Sequence, residues 1–223
     1  MSFHHSPKIV TDGLEFCFDP INSKSYSGGS TIRDISGNNK NGTLNGTYSL
    51  TNIQGVRSLL FTSTSSPVSN LVQSNTVNLR TISIWYNRRS GGWSSAYLLD
   101  ARNGMSSGYI WQLGFGPGAG GWDASTVYEN GIDISTGKIH NNLIGDSSGL
   151  LSANSWRNVT IVNNANYNCT IRFFSRFTDS EAVNVALSHV TAYNTALTPS
   201  QVLQNYNALK GRFNLWVALV DQI

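Results

Sequence analysis

The sequence predicts an all-β protein, an antiparallel two-sheet sandwich with one short C-terminal helix. Three observations lead there. Short runs rich in β-branched and aromatic residues recur at roughly ten-residue spacing, and several alternate apolar with polar side chains as half-buried strands do. The runs are separated by clusters of Gly and Asn, which tolerate the positive φ of tight turns. Only one segment, near the C-terminus, repeats its apolar residues at helical spacing. Composition agrees. Charged residues make up 12% of the 223, against 30 Ser and 25 Asn, a mixture suited to strands and polar turns rather than to a helical bundle. Hydrophobic residues at 39% supply a core.

Leu14 to Phe18 (LEFCF) is the first strand. Asp34 to Leu44 (DISGNNKNGTL) is turn chemistry, with Gly37-Asn38-Asn39 and Asn41-Gly42 forcing tight turns and Thr43-Leu44 able to start a strand. Arg57 to Thr62 (RSLLFT) is the next strand. Thr81 to Tyr86 (TISIWY) alternates, with Ile82, Ile84 and Tyr86 on one face and Ser83 and Trp85 on the other. Tyr97 to Leu99 and Tyr109 to Phe115 follow; in the second, Tyr109, Trp111, Leu113 and Phe115 share a face. Tyr128 to Ile134, Asn158 to Asn163, Thr170 to Phe174 and Val183 to Ala192 complete the strands. The helix is expected over Thr198 to Lys210. Thr198 is its N-cap, Pro199 takes the first helical position, Val202, Leu203, Tyr206 and Leu209 form its apolar stripe, and Gly211 is placed to end it.

Several function classes are excluded at this level. The net charge is +3, and the longest basic cluster is Arg88-Arg89, whereas nucleic-acid binding concentrates Lys and Arg on one face. No nucleic-acid partner is expected. Met1 to Pro7 has no apolar core of a secretory signal, and no apolar run could span a bilayer, so the expectation is a cytoplasmic translation product with no membrane partner. Cys17 and Cys169 each sit in a strand-like run. A disulfide requires those strands to be neighbours; two buried free thiols are the commoner outcome.

Four stretches together resemble the concanavalin A-like lectin/glucanase superfamily, in its laminin G-like jelly-roll branch. PKIVTDGLEFCFDPINSKSY (Pro7 to Tyr26) looks like that branch as it occurs in tailed-phage virion proteins, and DISGNNKNGTL follows it. HVTAYNTALTPSQVLQNYNALKGR (His189 to Arg212) resembles the closing strand and helix, and SWRNVTIV (Ser155 to Val162) the Trp-led central strand. The resemblance implies a jelly roll of two curved sheets packed face to face, with the helix against an edge or end and binding loops at the rim. It divides the chain into an N-terminal arm (1–12), the jelly-roll domain (13–212) and an apolar C-terminal tail (213–223).

The resemblance raises three chemistries. Glycoside hydrolysis needs two carboxylates flanking the bond, one to protonate the leaving oxygen and one to attack or stabilise. Glu15, Glu129 and Glu181 lack an acidic neighbour that would reproduce the superfamily's E-x-D-x-x-E strand, so no catalytic residue is assigned. Many laminin G-like domains hold Ca²⁺ at the rim, which makes Asp19 and Asp34 candidate ligands; the alternative is that both cap turns through Asx hydrogen bonds. Glycan binding uses aromatic faces for sugar C–H groups and polar side chains for hydroxyls. Trp93 and Trp122, presented by SGGWSS and GFGPGAGGW, could form such a site with Arg88, Arg89 and Asn103, or could tuck back onto their own loops. His140 and His189 are isolated and carry no metal assignment.

In the tail, Leu215, Val217 and Leu219 alternate with Trp216, Ala218 and Val220, so both faces are apolar and need burial on both sides. The tail either extends this sandwich or adds a strand to a partner. The resemblance therefore implies a non-enzymatic phage virion protein (capsid decoration, head fibre or tail component) displaying a lectin-like domain. Its partners would be other virion proteins, host-surface glycans and further copies of itself, with Leu215, Trp216, Val217 and Leu219 serving assembly. The other reading is a carbohydrate-binding lectin.

Overall fold

The computed structural model describes residues 8–62, 68–92, 96–101, 109–112, 126–133, 154–176 and 183–213. These form strands β1 (Leu14–Phe18), β2 (Thr31–Ile32), β3 (Gly42–Asn45), β4 (Thr47–Ile53), β5 (Val56–Thr62), β6 (Asn70–Gly92), β7 (Ala96–Asp100), β8 (Tyr109–Gln112), β9 (Thr126–Glu129), β10 (Ile132–Asp133), β11 (Trp156–Phe173) and β12 (Val183–Tyr193). Helix α1 (Pro199–Leu209) and a 3₁₀ turn (Lys210–Phe213) follow. Every pairing is antiparallel, as expected.

The strands join into one hydrogen-bonded network that folds into two layers. The first half of β6 pairs with β3 and with the second half of β11, which also carries β7 and β8. The second half of β6 pairs with β12 and with the first half of β11, which carries β9 and β10. β12 in turn holds β5 and β1, and β5 holds β4. A single buried cluster lies between the layers, taking Leu71, Val77, Leu79, Ile171 and Phe173 from one and Ile82, Ile84, Val159, Ile161, Leu187 and Val190 from the other.

Strands of 23 and 18 residues replace the uniformly short strands of the sequence reading. Asn158–Asn163 and Thr170–Phe173 are parts of one strand, which stops short of Phe174, where φ is 70°. The reason is an insertion in β11: the register steps from Val162↔Thr81 to Tyr167↔Leu79, so β11 bulges at its Asn-rich centre while β6 runs on. Bulges of this kind let a strand turn from one layer into the next. In the other direction, Tyr128–Ile134 splits into the β9–β10 hairpin, because Asn130 and Gly131 adopt φ 51° and 81° and close a tight turn. β4 and the first half of β6 are strands the sequence reading did not assign. The β3–β4 connection depends on Gly46, with φ 73°, where a Cβ would lie 2.7 Å from the Ser69 Cα.

Thr198 caps α1 through a capping box with Gln201, and Pro199 opens the helix, as expected. Three points differ from expectation. The helix lies over the outer face of the β6–β11–β12 layer, not at an edge, and buries Tyr206 and Leu209 with Phe213 against Trp85, Trp156, Ile53, Val56 and Ala186. Leu203 is 45% exposed, and its place in the buried stripe is taken by Asn205, which accepts a hydrogen bond from the Val10 amide at 2.8 Å. Gly211 does not end the helix in a left-handed turn; the chain tightens into the 3₁₀ turn through it, which brings Phe213 down onto the sheet.

Cys17 and Cys169 are both buried and free. β1 pairs only with β12, whereas Cys169 faces the inter-layer core from β11, so the strands are not neighbours.

Candidate functional site

Three connections converge on the outer side of the sandwich. The first is the turn after β1. The Asp19 carbonyl accepts from the Asn22 amide at 2.9 Å, and its carboxylate Oδ1 accepts from the Ile21 amide at 3.2 Å, an Asx turn. The second is the β4–β5 hairpin, where Gln54 and Gly55 take φ 54° and 85° and set Asn52 directly opposite Arg57. The third is the 3₁₀ turn. Phe213 stacks on Trp85 with ring centroids 4.0 Å apart and lies against Trp156 at 5.1 Å. That anchorage delivers the preceding residue, Arg212, to Asp19, with Nη1 to Oδ2 at 2.8 Å.

These pieces enclose an open cleft of about 410 Å³ lined by Asp19, Ile21, Asn22, Asn52, Gly55, Val56, Arg57 and Arg212. The Asp19 side chain is only 6% exposed and its charge is met by Arg212, which is 42% exposed. Directly behind lie Cys17 and His189, Sγ to Nε2 3.6 Å. Burial pushes the His189 imidazole down to about 4, with Asp19 opposing and Arg212 reinforcing the fall. Burial, with help from Asp19 and Asp34, pushes the Cys17 thiol up. Both groups are thus neutral at pH 7, and the thiol has none of the depressed pKa that a nucleophile needs. The cleft itself presents side-chain amides, from Asn22 and Asn52, and guanidiniums, from Arg57 and Arg212, beside the paired Asp19 carboxylate.

Of the residues expected to bind glycan, Arg88 and Arg89 lie outside this cleft. Arg88 follows Tyr86 on the inner face of β6, near Arg157 and Glu129, and the buried Tyr86 hydroxyl feels all three charges. Arg89 points to the other face, with Nη1 3.4 Å from Asn87 Oδ1. Trp93, Asn103 and Trp122 lie outside the described residues. The strand ends flanking the two tryptophans are far apart: Gly92 pairs with Val183, whereas Thr126 pairs with Val162 at the level of Thr81.

Asp34 is a turn cap. Its carboxylate accepts from the amides of Cys17 (2.9 Å), Ser36 (2.8 Å) and Lys40 (3.0 Å) and from the Ser36 hydroxyl (2.8 Å). The DISGNNKNGTL run is therefore what ties the first strand to the rim. Among the described residues no group of three or more His, Cys, Asp or Glu could hold a metal ion. Glu129 pairs with Arg157, and Glu15 with Lys40. Asp133 stands opposite Tyr128 across the hairpin and so shares a face with it, while Glu129 takes the other face, an arrangement that cannot form an acid–base pair across one bond. Of the expected tail, Phe213 alone is described; Leu215, Trp216, Val217 and Leu219 lie outside the described residues.

The cleft residues Asn22, Asn52, Arg57 and Arg212 were not singled out from the sequence. The Gln54-Gly55 turn between two β-like runs was a usable hairpin signal. Nothing local indicates that Arg212 meets Asp19, 193 positions away.

No family model matches the chain, and no curated protein does. Solved structures do. The binding domain of botulinum neurotoxin DC, in complex with rat synaptotagmin II, matches at TM-score 0.56 and 14% identity over 90% of this chain and 52% of that one, so the chain spans about half of that domain. Domain 4 of AbnA, a GH43 extracellular arabinanase from Geobacillus stearothermophilus, in complex with arabinotriose, matches at TM-score 0.51 and 13% identity over 86% of this chain and 98% of that one. Trypanosoma rangeli sialidase matches at TM-score 0.52 and 10% identity over 91% of this chain but only 34% of its own. What these likenesses establish is the fold: the chain is an all-β, two-layer antiparallel sandwich of jelly-roll type.

Proposed function

We propose that this chain is a non-enzymatic, lectin-like module that binds glycans. The observation that carries the reading is the cleft between the β1 turn, the β4–β5 hairpin and the 3₁₀ turn. It has the volume of a small-ligand site, about 410 Å³, and its polar groups, Asn22, Asn52, Arg57 and Arg212, are hydrogen-bonding side chains suited to hydroxyls. AbnA domain 4, almost all of which this fold covers, is in complex with arabinotriose, and the sialidase, of which the match takes one third, is in complex with 2,3-difluorosialic acid. Support for the non-enzymatic part is the commitment of Asp19, Glu15 and Glu129 to cationic partners. Arg88, Arg89, Trp93, Asn103 and Trp122 are proposed as further, separate contacts rather than one surface.

A glycan array, repeated with Asn52→Ala and Arg57→Ala and with the Trp93→Ala, Trp122→Ala double variant, tests this. Binding lost in the first pair assigns it to the cleft, and binding lost in the second assigns it to the loops. An array that stays blank with the unaltered protein removes the reading.

We further propose that the module is displayed on a phage particle. The support is the resemblance of Pro7 to Tyr26 to the laminin G-like branch as it occurs in tailed-phage virion proteins, with Asp34 to Leu44 and His189 to Arg212 resembling the same branch. Leu215, Trp216, Val217 and Leu219 would then contact other virion proteins or further copies of this chain. Copurification with intact particles at a fixed copy number is the expected result; absence from washed particles sinks it.

A further inference from the structure

We infer that the cleft selects acidic saccharides, holding a singly charged oxyanion of the sugar between Arg57 and Arg212. The inference rests on the glycan-binding reading and adds the class of glycan.

Two guanidiniums and one carboxylate line the cleft, which leaves one positive charge over. The carboxylate cannot serve both cations. Asp19 is buried, its Oδ2 takes Arg212 and its Oδ1 takes the Ile21 amide. Arg57 is exposed, and among the described residues no carboxylate pairs with it. A guanidinium presents its donors in a planar fork that matches an oxyanion edge, and the match is worth more in a recess than on an open surface. Arg212 commits Nη1 to Asp19, keeps further N–H donors, and is 42% exposed toward the cleft.

The arginines are held at different stiffness. Arg212 is fixed by Asp19 and by the stacked Phe213 next to it in the chain. Arg57 projects from the hairpin opposite Asn52 and is free to swing onto a ligand. The neutral groups complete the pattern. The Asn22 carbonyl Oδ1 accepts from the Lys24 amide at 3.0 Å, which turns its NH₂ donors outward, and Asn52 adds a donor and an acceptor for hydroxyls. One monovalent group, a uronate carboxylate or a sugar sulfate ester, balances the site.

The test is calorimetric titration of the full chain with three versions of one oligosaccharide: the uronic acid, its carboxyl-reduced neutral form, and that neutral form bearing one sulfate ester. The expected result is that at least one acidic form binds about tenfold more tightly than the neutral one, with the advantage shrinking at high salt. Which acidic form gains identifies the oxyanion. Arg57→Gln should abolish the advantage, weakening the acidic form far more than the neutral one, while Arg57→Lys should restore part of it. Equal binding of all three forms overturns the inference and leaves the lectin reading standing. No binding of any form removes both. An advantage that survives Arg57→Gln also overturns it, because the anion then sits elsewhere.

Discussion

Phe213 lies flat on Trp85, with ring centroids 4.0 Å apart and planes 2° from parallel. The contact joins the last described residue to the middle of the longest strand, and Tyr206 stacks on the same indole at 5.5 Å and 7°. An outer sheet face that alternation alone would leave half-wet is thereby sealed, and Arg212 is brought to Asp19.

Phe213→Ala should therefore act twice. Removing a ring that is 4% exposed costs about 3–4 kcal/mol by the usual toll of burying a cavity there, read as a lower urea midpoint. It should also weaken ligand binding in the cleft, because the arginine loses its anchor. A Phe213→Leu variant that recovers most of the stability but not the affinity would separate the two effects. A stability loss below about 1 kcal/mol for the alanine variant would mean the stack contributes little beyond contact.

His189 sets an acid limit. Its native pKa, near 4, lies below the ordinary 6.5, so the unfolded chain takes up a proton that the folded chain refuses. Its contribution is complete above about pH 6.5 and is lost as pH falls toward 4, with a total on the order of 3 kcal/mol. Denaturant unfolding at steps from pH 7.5 to pH 4 should show stability falling over that window, and a His189→Gln variant should flatten that part of the curve. An unchanged slope in the variant would assign the acid sensitivity to other groups.

The two thiols should be silent in the native state. Burial pushes Cys17 up, and it pushes Cys169 up to about 12. An aromatic disulfide reagent should find no reactive thiol at pH 8 in buffer and two in denaturant. One fast-reacting native thiol would show that the β1 edge opens.

Asp34→Ala should unpick the loop that it caps. Four donors lose their acceptor, including the Cys17 amide inside the first strand, and the expected cost is about 2 kcal/mol by chemical denaturation. Calcium and EDTA should each leave the wild-type Tm where it is, because the carboxylate is already committed. A rise in Tm with calcium would show instead that Asp19 or Asp34 coordinates.

Much of the fold was legible where local signals and burial agree. TISIWY alternates because its two faces meet two different cores, Ile82 and Ile84 one and Trp85 the other. Thr198, Pro199 and Gln201 announce a helix start in neighbouring positions. The first half of β6 was not legible. Gln73, Ser74, Asn75 and Thr76 break its pattern, and its strand character comes from partners on both sides, Thr43 opposite Val72 on β3 and Phe173 opposite Leu71 on β11. The cleft was hidden for the same reason. It is assembled from three chain segments, and no short window of sequence contains more than one of its charged groups apart from their own turns.

The route of β6 and β11 through both layers has a mechanical consequence. Neither layer owns its strands, so neither can peel away while the other persists; to detach one is to sever the register of both. Thermal or forced unfolding should proceed as one event with a single high barrier. A module tethered at one end could then bear load through a strand that crosses the whole body, and the cleft beside Arg212 would keep its shape until the entire domain gives way.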